Sequence, residues 1–402
     1  MQTRLADIYR DSPLGQEADK VLRSCVHCGF CNATCPTYQL LGDELDGPRG
    51  RIYQIKQILE GAEATTSIQQ HLDRCLTCRA CETTCPSGVE YHKLLDIGRE
   101  LVEQQVPRPA LQRSYRRLLQ YTFSETRRVA LLLFFARLFR PLLPARIKKR
   151  VPLAIKIPAH PERSHARTML LLDGCVQPAA SPQINSSAIQ VFDRLAISLR
   201  VIPEAGCCNT LHQHLSDSDA ARQRARANID AWWPSVQQGA EALVVTASGC
   251  APMIKDYGRL LAGDEQYAQR AARISAMTRD ISEVLRKEDL SGLKANSAGR
   301  IAFHSPCSLQ HAQQLDGVVE VILKAVGYTL VPLRDGHLCC GSAGTYSILQ
   351  PKLAEALRSR KLESLQEKRP ELIATANIGC LLHLQQAAEV PVRHWIELLA
   401  SA

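Results

Sequence analysis

A mainly helical amino-terminal region followed by tandem βαβ-type repeats, an α + α/β architecture, is predicted for this chain by three patterns. Two closely spaced cysteine motifs are joined by segments of helical period; eight further cysteines recur at a repeated spacing; and short aliphatic runs end at those later cysteines. At 402 residues the chain exceeds what a single core usually serves, so two or three domains are expected. With 45% hydrophobic and 22% charged residues it reads as an ordinary globular protein, neither disordered nor membrane-spanning.

The spacing CxxCxxCxxxCP occurs twice, at Cys25, Cys28, Cys31, Cys35-Pro36 and at Cys75, Cys78, Cys81, Cys85-Pro86. Each iron of a cubane cluster needs a thiolate. Short CxxC turns wrap three sulfurs around one inorganic core, while the distant fourth cysteine serves the other cluster. The expected sets are therefore Cys25, Cys28, Cys31 and Cys85 for one [4Fe–4S] cluster, and Cys75, Cys78, Cys81 and Cys35 for the second. Structural zinc would show paired knuckles with four ligands per ion, which these runs do not. Disulfides require an oxidising compartment, and the opening MQTRLADIYRDSPLGQEADK has no apolar core of a secretory signal, so a cytoplasmic location is expected. His27 is expected at the edge of the first cluster, since four thiolates complete the ligand set. Arg49, Arg51, Arg74 and Arg79 are candidates to offset cluster charge, with solvated surface the plain alternative.

Between the motifs, Ile52, Ile55, Ile58 and Leu59 recur at helical spacing within RIYQIKQILEG, and Tyr91 to Gln105 reads as a further helix. Residues 1–105 are thus expected to form a helical, ferredoxin-type domain with two clusters. Residues 106–165 read as a basic, proline-interrupted linker, broken at Pro107, Pro109, Pro141, Pro144, Pro152, Pro158 and Pro161. From Val106 to Arg150, twelve Lys or Arg face the single acid Glu125, so the formal charge of +9 belongs to this segment and the rest of the chain is slightly acidic. No nucleic-acid partner is expected. The run Val129 to Phe139 is too short to cross a bilayer and contains Arg137. Framed by arginines, it suits a helix lying on an anionic membrane surface or in a partner's groove; a helix packed on its own protein with arginines turned to water is the alternative.

The remaining cysteines form two copies of one unit, expected over residues 166–299 and 300–402. Cys175 is followed 32 positions later by Cys207-Cys208 and then by Cys250; Cys307 is followed 32 positions later by Cys339-Cys340 and then by Cys380. TMLLLDGC, ALVVTASGC, RIAFHSPC and LIATANIGC each end a strand-like run at a cysteine, and LRVIPEAGCC and YTLVPLRDGHLCC add a loop. Strands alternating with helices imply parallel βαβ units whose carboxyl ends converge on a ligand crevice. These eight cysteines are candidates for a metal centre, a redox dithiol or a substrate-facing site, with two neighbours in a pair not expected to share one apolar core. His212, His214, His304, His337 and His383 lie near them as further donors, each alone more commonly a packing histidine. Neither a GxGxxG after a strand, nor paired catalytic carboxylates, nor a nucleophile elbow stands out, so no catalytic residue is assigned.

Two ferredoxin motifs followed by two CCG-type repeats resemble the iron–sulfur subunits of membrane-associated dehydrogenases and the cysteine-rich subunit of heterodisulfide reductases. CVHCGFCNATCPTYQLLGDELDGPRGRIYQIKQILEG, HLDRCLTCRACETTCPSGVEYHKLLDIGRE, NIDAWWP, TASGC, HLCCGSAGTY and TANIGC are similar to the iron–sulfur subunits of bacterial glycolate oxidases (glycolate dehydrogenases). The resemblance implies partner subunits carrying FAD that oxidise glycolate to glyoxylate. It implies a relay through this chain to a membrane quinone or other acceptor, and a peripheral position on the inner face of the cytoplasmic membrane. Lactate or glycerol 3-phosphate dehydrogenase subunits share that mechanism, and a catalytic disulfide- or quinone-reducing role is the alternative of another class. Two departures stand out: Asn209 replaces the glycine of CCG in the first repeat, and Met253 and His383 replace the last cysteine of the heterodisulfide-reductase pattern. The latter puts a noncubane cluster in question and leaves open a further iron–sulfur centre in the repeats.

Overall fold

The computed structural model describes residues 1–144, 148–155, 157, 163–295 and 299–402; Pro158 and Pro161 lie outside them. Prolines at the first turn open the helices Pro13–Ser24, Pro36–Leu41 and Pro48–Leu59, where their missing N–H costs nothing. The Pro13–Ser24 helix is capped by the Ser12 hydroxyl, which accepts from the Gly15 N–H at 3.0 Å. Pro48–Leu59, Tyr91–Gln105 and Pro13–Ser24 bury Leu22, Ile55, Leu59, Leu94 and Leu95 in one core between the cysteine motifs. Gly98 permits that closeness, because a Cβ there would fall 2.5 Å from Cγ1 of Ile55.

A buried charge network ties the two motifs together. Asp46, fully buried after the first motif, accepts from Nη1 of Arg74 at 2.8 Å and from Nη2 of Arg51 at 3.4 Å, and bonds Nδ1 of His71 at 3.0 Å. Arg51, itself only 1% exposed, also donates from Nε to the His71 carbonyl at 2.8 Å.

Among the described residues, eight strands form two parallel sheets. β1 (Arg167–Leu171), β2 (Ile197–Val201), β3 (Leu243–Val245) and β4 (Thr278–Asp280) run in the order β2-β1-β3-β4. β5 (Arg300–His304), β6 (Thr329–Leu330), β7 (Leu372–Thr375) and β8 (Val392–His394) repeat it as β6-β5-β7-β8. The fourth strand of each sheet was not foreseen: TRD and VRH are too short to show alternation. Each nevertheless ends in a capping box, Asp280 with Glu283 and His394 with Glu397. The sheets share one core that includes Phe192, Ile281, Leu323 and Trp395. Their central loops cross, with the Ser248 N–H donating to the Ala376 carbonyl at 3.0 Å and Nε2 of His394 bonding the Thr246 carbonyl at 3.1 Å.

The basic segment is helical over much of its described part. It contains the helices Ala110–Phe123 and Thr126–Leu138, and Arg108 and Arg116 both bond Asp73. The apolar run lies in the second helix with its polarity inverted relative to a helix packed on its own protein. Arg137 turns inward, donating from Nε to the Pro152 carbonyl at 2.9 Å and from Nη2 to the Ala179 carbonyl at 3.3 Å. Leu131, Phe134 and Leu138 face outward, 58–60% exposed.

Asp46→Asn is expected to destabilise the protein by about 3–5 kcal/mol, because it takes from the Arg51 and Arg74 guanidinium groups the buried carboxylate they share. The urea midpoint of the variant against wild type measures this, and an unchanged midpoint would contradict it.

Candidate metal and redox sites

One small cavity is walled by Cys25, Cys28, Cys31 and Cys85, with Arg49 and His27 beside them. A second is walled by Cys35, Cys75 and Cys78, with Arg51 and Arg79, and Cys81 lines both. The local turns explain the convergence: His27, Gly29, Thr77 and Arg79 all adopt positive φ, which curls the chain around the sulfurs. All sixteen cysteines are free thiols. Cys25, Cys35, Cys75 and Cys81 are buried, while Cys28 is exposed beside exposed Val26, His27 and Phe30.

The donor chemistry fits a metal cluster. Burial, then the adjacent Cys25 sulfur, pushes the Cys31 thiol up to about 11. Burial, followed by the Cys307 and Cys35 sulfurs, pushes Cys78 well above its ordinary value. Sulfurs so placed repel one another as thiolates, and a cationic iron core removes that penalty. Of the four arginines read from the sequence, Arg51 is no surface residue. Burial opposes its charge, but Cys75, Tyr91, Cys35 and Asp46 outweigh it and hold the guanidinium protonated.

The repeat cysteines meet in one place. A cavity of about 610 Å³ is lined by Cys175, Cys207, Cys208 and Cys250 from the first repeat and by Cys307, Cys339, Cys340 and Cys380 from the second. Cys175 and Cys250 follow the adjacent strands β1 and β3, and Cys307 and Cys380 follow β5 and β7, the points where strand order reverses in each sheet. Both members of each vicinal pair are buried; Cys339 and Cys340 enter different cores, as expected of neighbours, whereas Cys207 and Cys208 share one, against that expectation. The residue after each pair turns the chain. Asn209 at φ +73° and Gly341 at φ +86° aim their N–H groups back at Sγ of Cys207 and of Cys339, each at 3.4 Å. Asparagine tolerates this conformation and sets its amide against the Tyr257 hydroxyl. At Gly341 a Cβ would meet the Ala354 carbonyl oxygen at 2.6 Å.

Met253, His214 and His383 also line the large cavity. His383 bonds the Ala354 carbonyl through Nε2, and His212 bonds Asp217. Sequence reasoning missed Lys361, which lies almost wholly buried beside the second tetrad and donates from Nζ to the Gly336 carbonyl at 2.8 Å. Burial pulls its ammonium down to about 8, opposed by the Cys340, Cys339 and Cys380 sulfurs. His304 is fully buried at the end of β5, and neither ring nitrogen has a hydrogen-bond partner. An orphaned buried polar group costs about 1–3 kcal/mol.

The comparisons with known proteins follow this layout. A 4Fe–4S dicluster domain matches residues 21–89, and a cysteine-rich domain matches twice, over residues 169–255 and 301–385. The chain is 51% identical to the glycolate oxidase iron–sulfur subunit of Escherichia coli K12, covering 100% of this chain and 99% of the relative. It is 26% identical to the probable glycolate oxidase iron–sulfur subunit of Bacillus subtilis 168, over 92% and 89% of the two chains. It is 29% identical to lactate utilization protein A of Geobacillus thermodenitrificans NG80-2, over 50% and 83%. A hypothetical protein from Helicobacter pylori shares the fold, with a TM-score of 0.53 at 10% identity over 98% of this chain and 74% of that one. With two cysteine-lined cavities within the dicluster match and a full-length relative at this identity, the chain belongs to the family of glycolate oxidase iron–sulfur subunits.

Proposed function

We propose that this chain is the electron-transfer subunit of a multi-subunit glycolate dehydrogenase. Flavin-bearing partner subunits oxidise glycolate to glyoxylate, and this chain carries the electrons towards a membrane quinone or another acceptor. The observation that carries the reading is the continuity of sulfurs, from exposed Cys28 through Cys81, shared by both small cavities, to Cys78 beside Cys307 at the large one. When bound, [4Fe–4S] clusters supply one-electron carriers. Cys25, Cys28, Cys31 and Cys85 would hold one, and Cys35, Cys75, Cys78 and Cys81 the other. Arg51 and Arg49 place positive charge against them, and Val26 and Phe30 offer an apolar rim where a flavin subunit docks. The two repeat tetrads are read as further iron–sulfur sites facing a common cavity. A second reading, direct reduction of a quinone or disulfide in that cavity, is favoured by its volume and its eight cysteines; turnover by the isolated chain with an artificial electron donor would support it over the first.

The chain is further proposed to lie peripherally on the inner face of the cytoplasmic membrane. Among the described residues no helix is long and apolar enough to cross a bilayer. Leu131, Phe134, Leu138 and Leu142 are exposed, and so are Leu111, Tyr115, Leu118 and Tyr121 of the preceding helix. The basic charge of this segment complements anionic headgroups, and tyrosines suit the interfacial zone.

Cys78→Ala is expected to remove one cluster's iron and abolish acceptor reduction by the assembled complex, read by iron and sulfide quantitation beside activity; unchanged iron would refute the ligand assignment. For the surface, flotation with phosphatidylglycerol-containing vesicles is expected to recover wild type. Phe134→Ser/Leu138→Ser and vesicles of phosphatidylcholine alone should recover several-fold less. Equal recovery in all three would remove the membrane from the reading.

A further inference from the structure

The two repeats share strand order, cysteine spacing and cavity, yet differ behind the sulfurs. A donor nitrogen of His304 and the sulfurs of Cys340 and Cys380 all lie within 4.8 Å of one another, and all three residues are buried. The corresponding position of the first repeat, three residues before Cys175 as His304 is before Cys307, holds Leu172. The difference extends to the facing strand. Thr375 is the register partner of His304, and its hydroxyl is also buried without a partner; five residues before Cys250, as Thr375 is before Cys380, stands Val245. An apolar pair in one repeat is thus a polar, orphaned pair in the other, beside otherwise matching cysteines.

We propose that His304 is a metal ligand of the second repeat, joining Cys340 and Cys380, so that this site is a mixed nitrogen–sulfur centre, whereas the matching position of the first repeat, Leu172, offers no ligand. A neutral imidazole is a metal ligand through either ring nitrogen, and neither nitrogen of His304 is committed elsewhere, so the argument does not depend on ring orientation. His383 is the weaker choice, because it is outside the group of mutually close donors and is anchored on the Ala354 carbonyl. Replacing anionic thiolate by neutral imidazole lowers the charge at an iron–sulfur centre and raises its potential. Buried Lys361, beside the same sulfurs, acts in the same direction. The inference rests on the repeats holding iron–sulfur centres, and it deepens that reading by making the two centres unequal.

The test uses the full chain purified without oxygen and labelled with 15N-histidine, examined by pulsed EPR across a redox titration. Wild type is expected to show a histidine-nitrogen coupling at a centre additional to the ferredoxin-type pair. His304→Leu, which installs the residue of the first repeat, should lose that coupling and leave the signals of the ferredoxin-type pair intact. His304→Cys, the second variant should the first fail to fold, should keep the centre, lose the coupling and shift its potential downwards. Absence of any histidine coupling in wild type, or its persistence in both variants, overturns the assignment. Iron content separates the failures. Iron at about eight per chain, enough for two clusters only, sinks the repeat centres and this inference with them, but spares the electron-relay reading; higher iron without nitrogen coupling sinks His304 alone.

Discussion

Sulfurs crowded into a low-dielectric interior repel one another once ionised, and sparing that repulsion requires either protons or positive charge at the point of contact. This chain supplies both protein charge and room for metal. Arg51 is buried against Cys35 and Cys75, Lys361 against Cys339, Cys340 and Cys380, and each is held by backbone carbonyls that fix where its charge sits. A buried guanidinium or ammonium is itself expensive, so its presence beside sulfur argues that the site carries net negative charge in its working state. The Asp46 network follows from the same constraint, since it fixes Arg51 and Arg74 between the two motifs.

Duplication solves the geometry of the second sulfur group. Parallel strands in the order β2-β1-β3-β4 bring two cysteines to adjacent carboxyl ends, and the left-handed residue after each vicinal pair turns the remaining two towards the same space. Packing two such sheets through one core makes their crevices face each other, which yields a single large cavity rather than two separate clefts. Once two equivalent sites open on one cavity, a small change behind one of them is enough to make them chemically distinct, and the His304–Thr375 pair against Leu172–Val245 is such a change.

Much of this was legible in the sequence because cysteine spacing is a covalent record of geometry. The helices at 48–59 and 91–105 and the six strands that precede the repeat cysteines all follow from local pattern. β4 and β8 escaped notice because three residues carry no readable period, although the capping boxes at Asp280 and His394 mark where the following helices begin. Burial of charge was the harder matter. Nothing local to Arg51 or Lys361 distinguishes it from a solvated neighbour, because its burial is decided by elements far away in sequence. Arg137 is the same problem in reverse: an arginine amid leucines and phenylalanines reads as the helix's solvent face, yet it is drawn inward by the Pro152 and Ala179 carbonyls.

The contact between the two halves gives the asymmetry of the repeats a direction. Thr83, within the second cysteine motif, bonds Nδ1 of His311 at 2.9 Å; Tyr346 donates to the Arg74 carbonyl at 3.2 Å; and Leu76 and Cys78 pack with Cys307, Cys339 and Tyr346. Those residues belong to the second repeat, so the second repeat meets the ferredoxin-type sulfurs. The first repeat is tied to the helical region by polar pairs away from the cysteine motifs instead, such as Arg259 with Glu17 and Ser218 with Glu100. On the proposed relay, a repeat that abuts Cys78 and also carries His304 and Lys361 would receive an electron before the first repeat does. Geometry and charge thus rank the two sides of the cavity in the same order, although neither fold nor cysteine spacing distinguishes them.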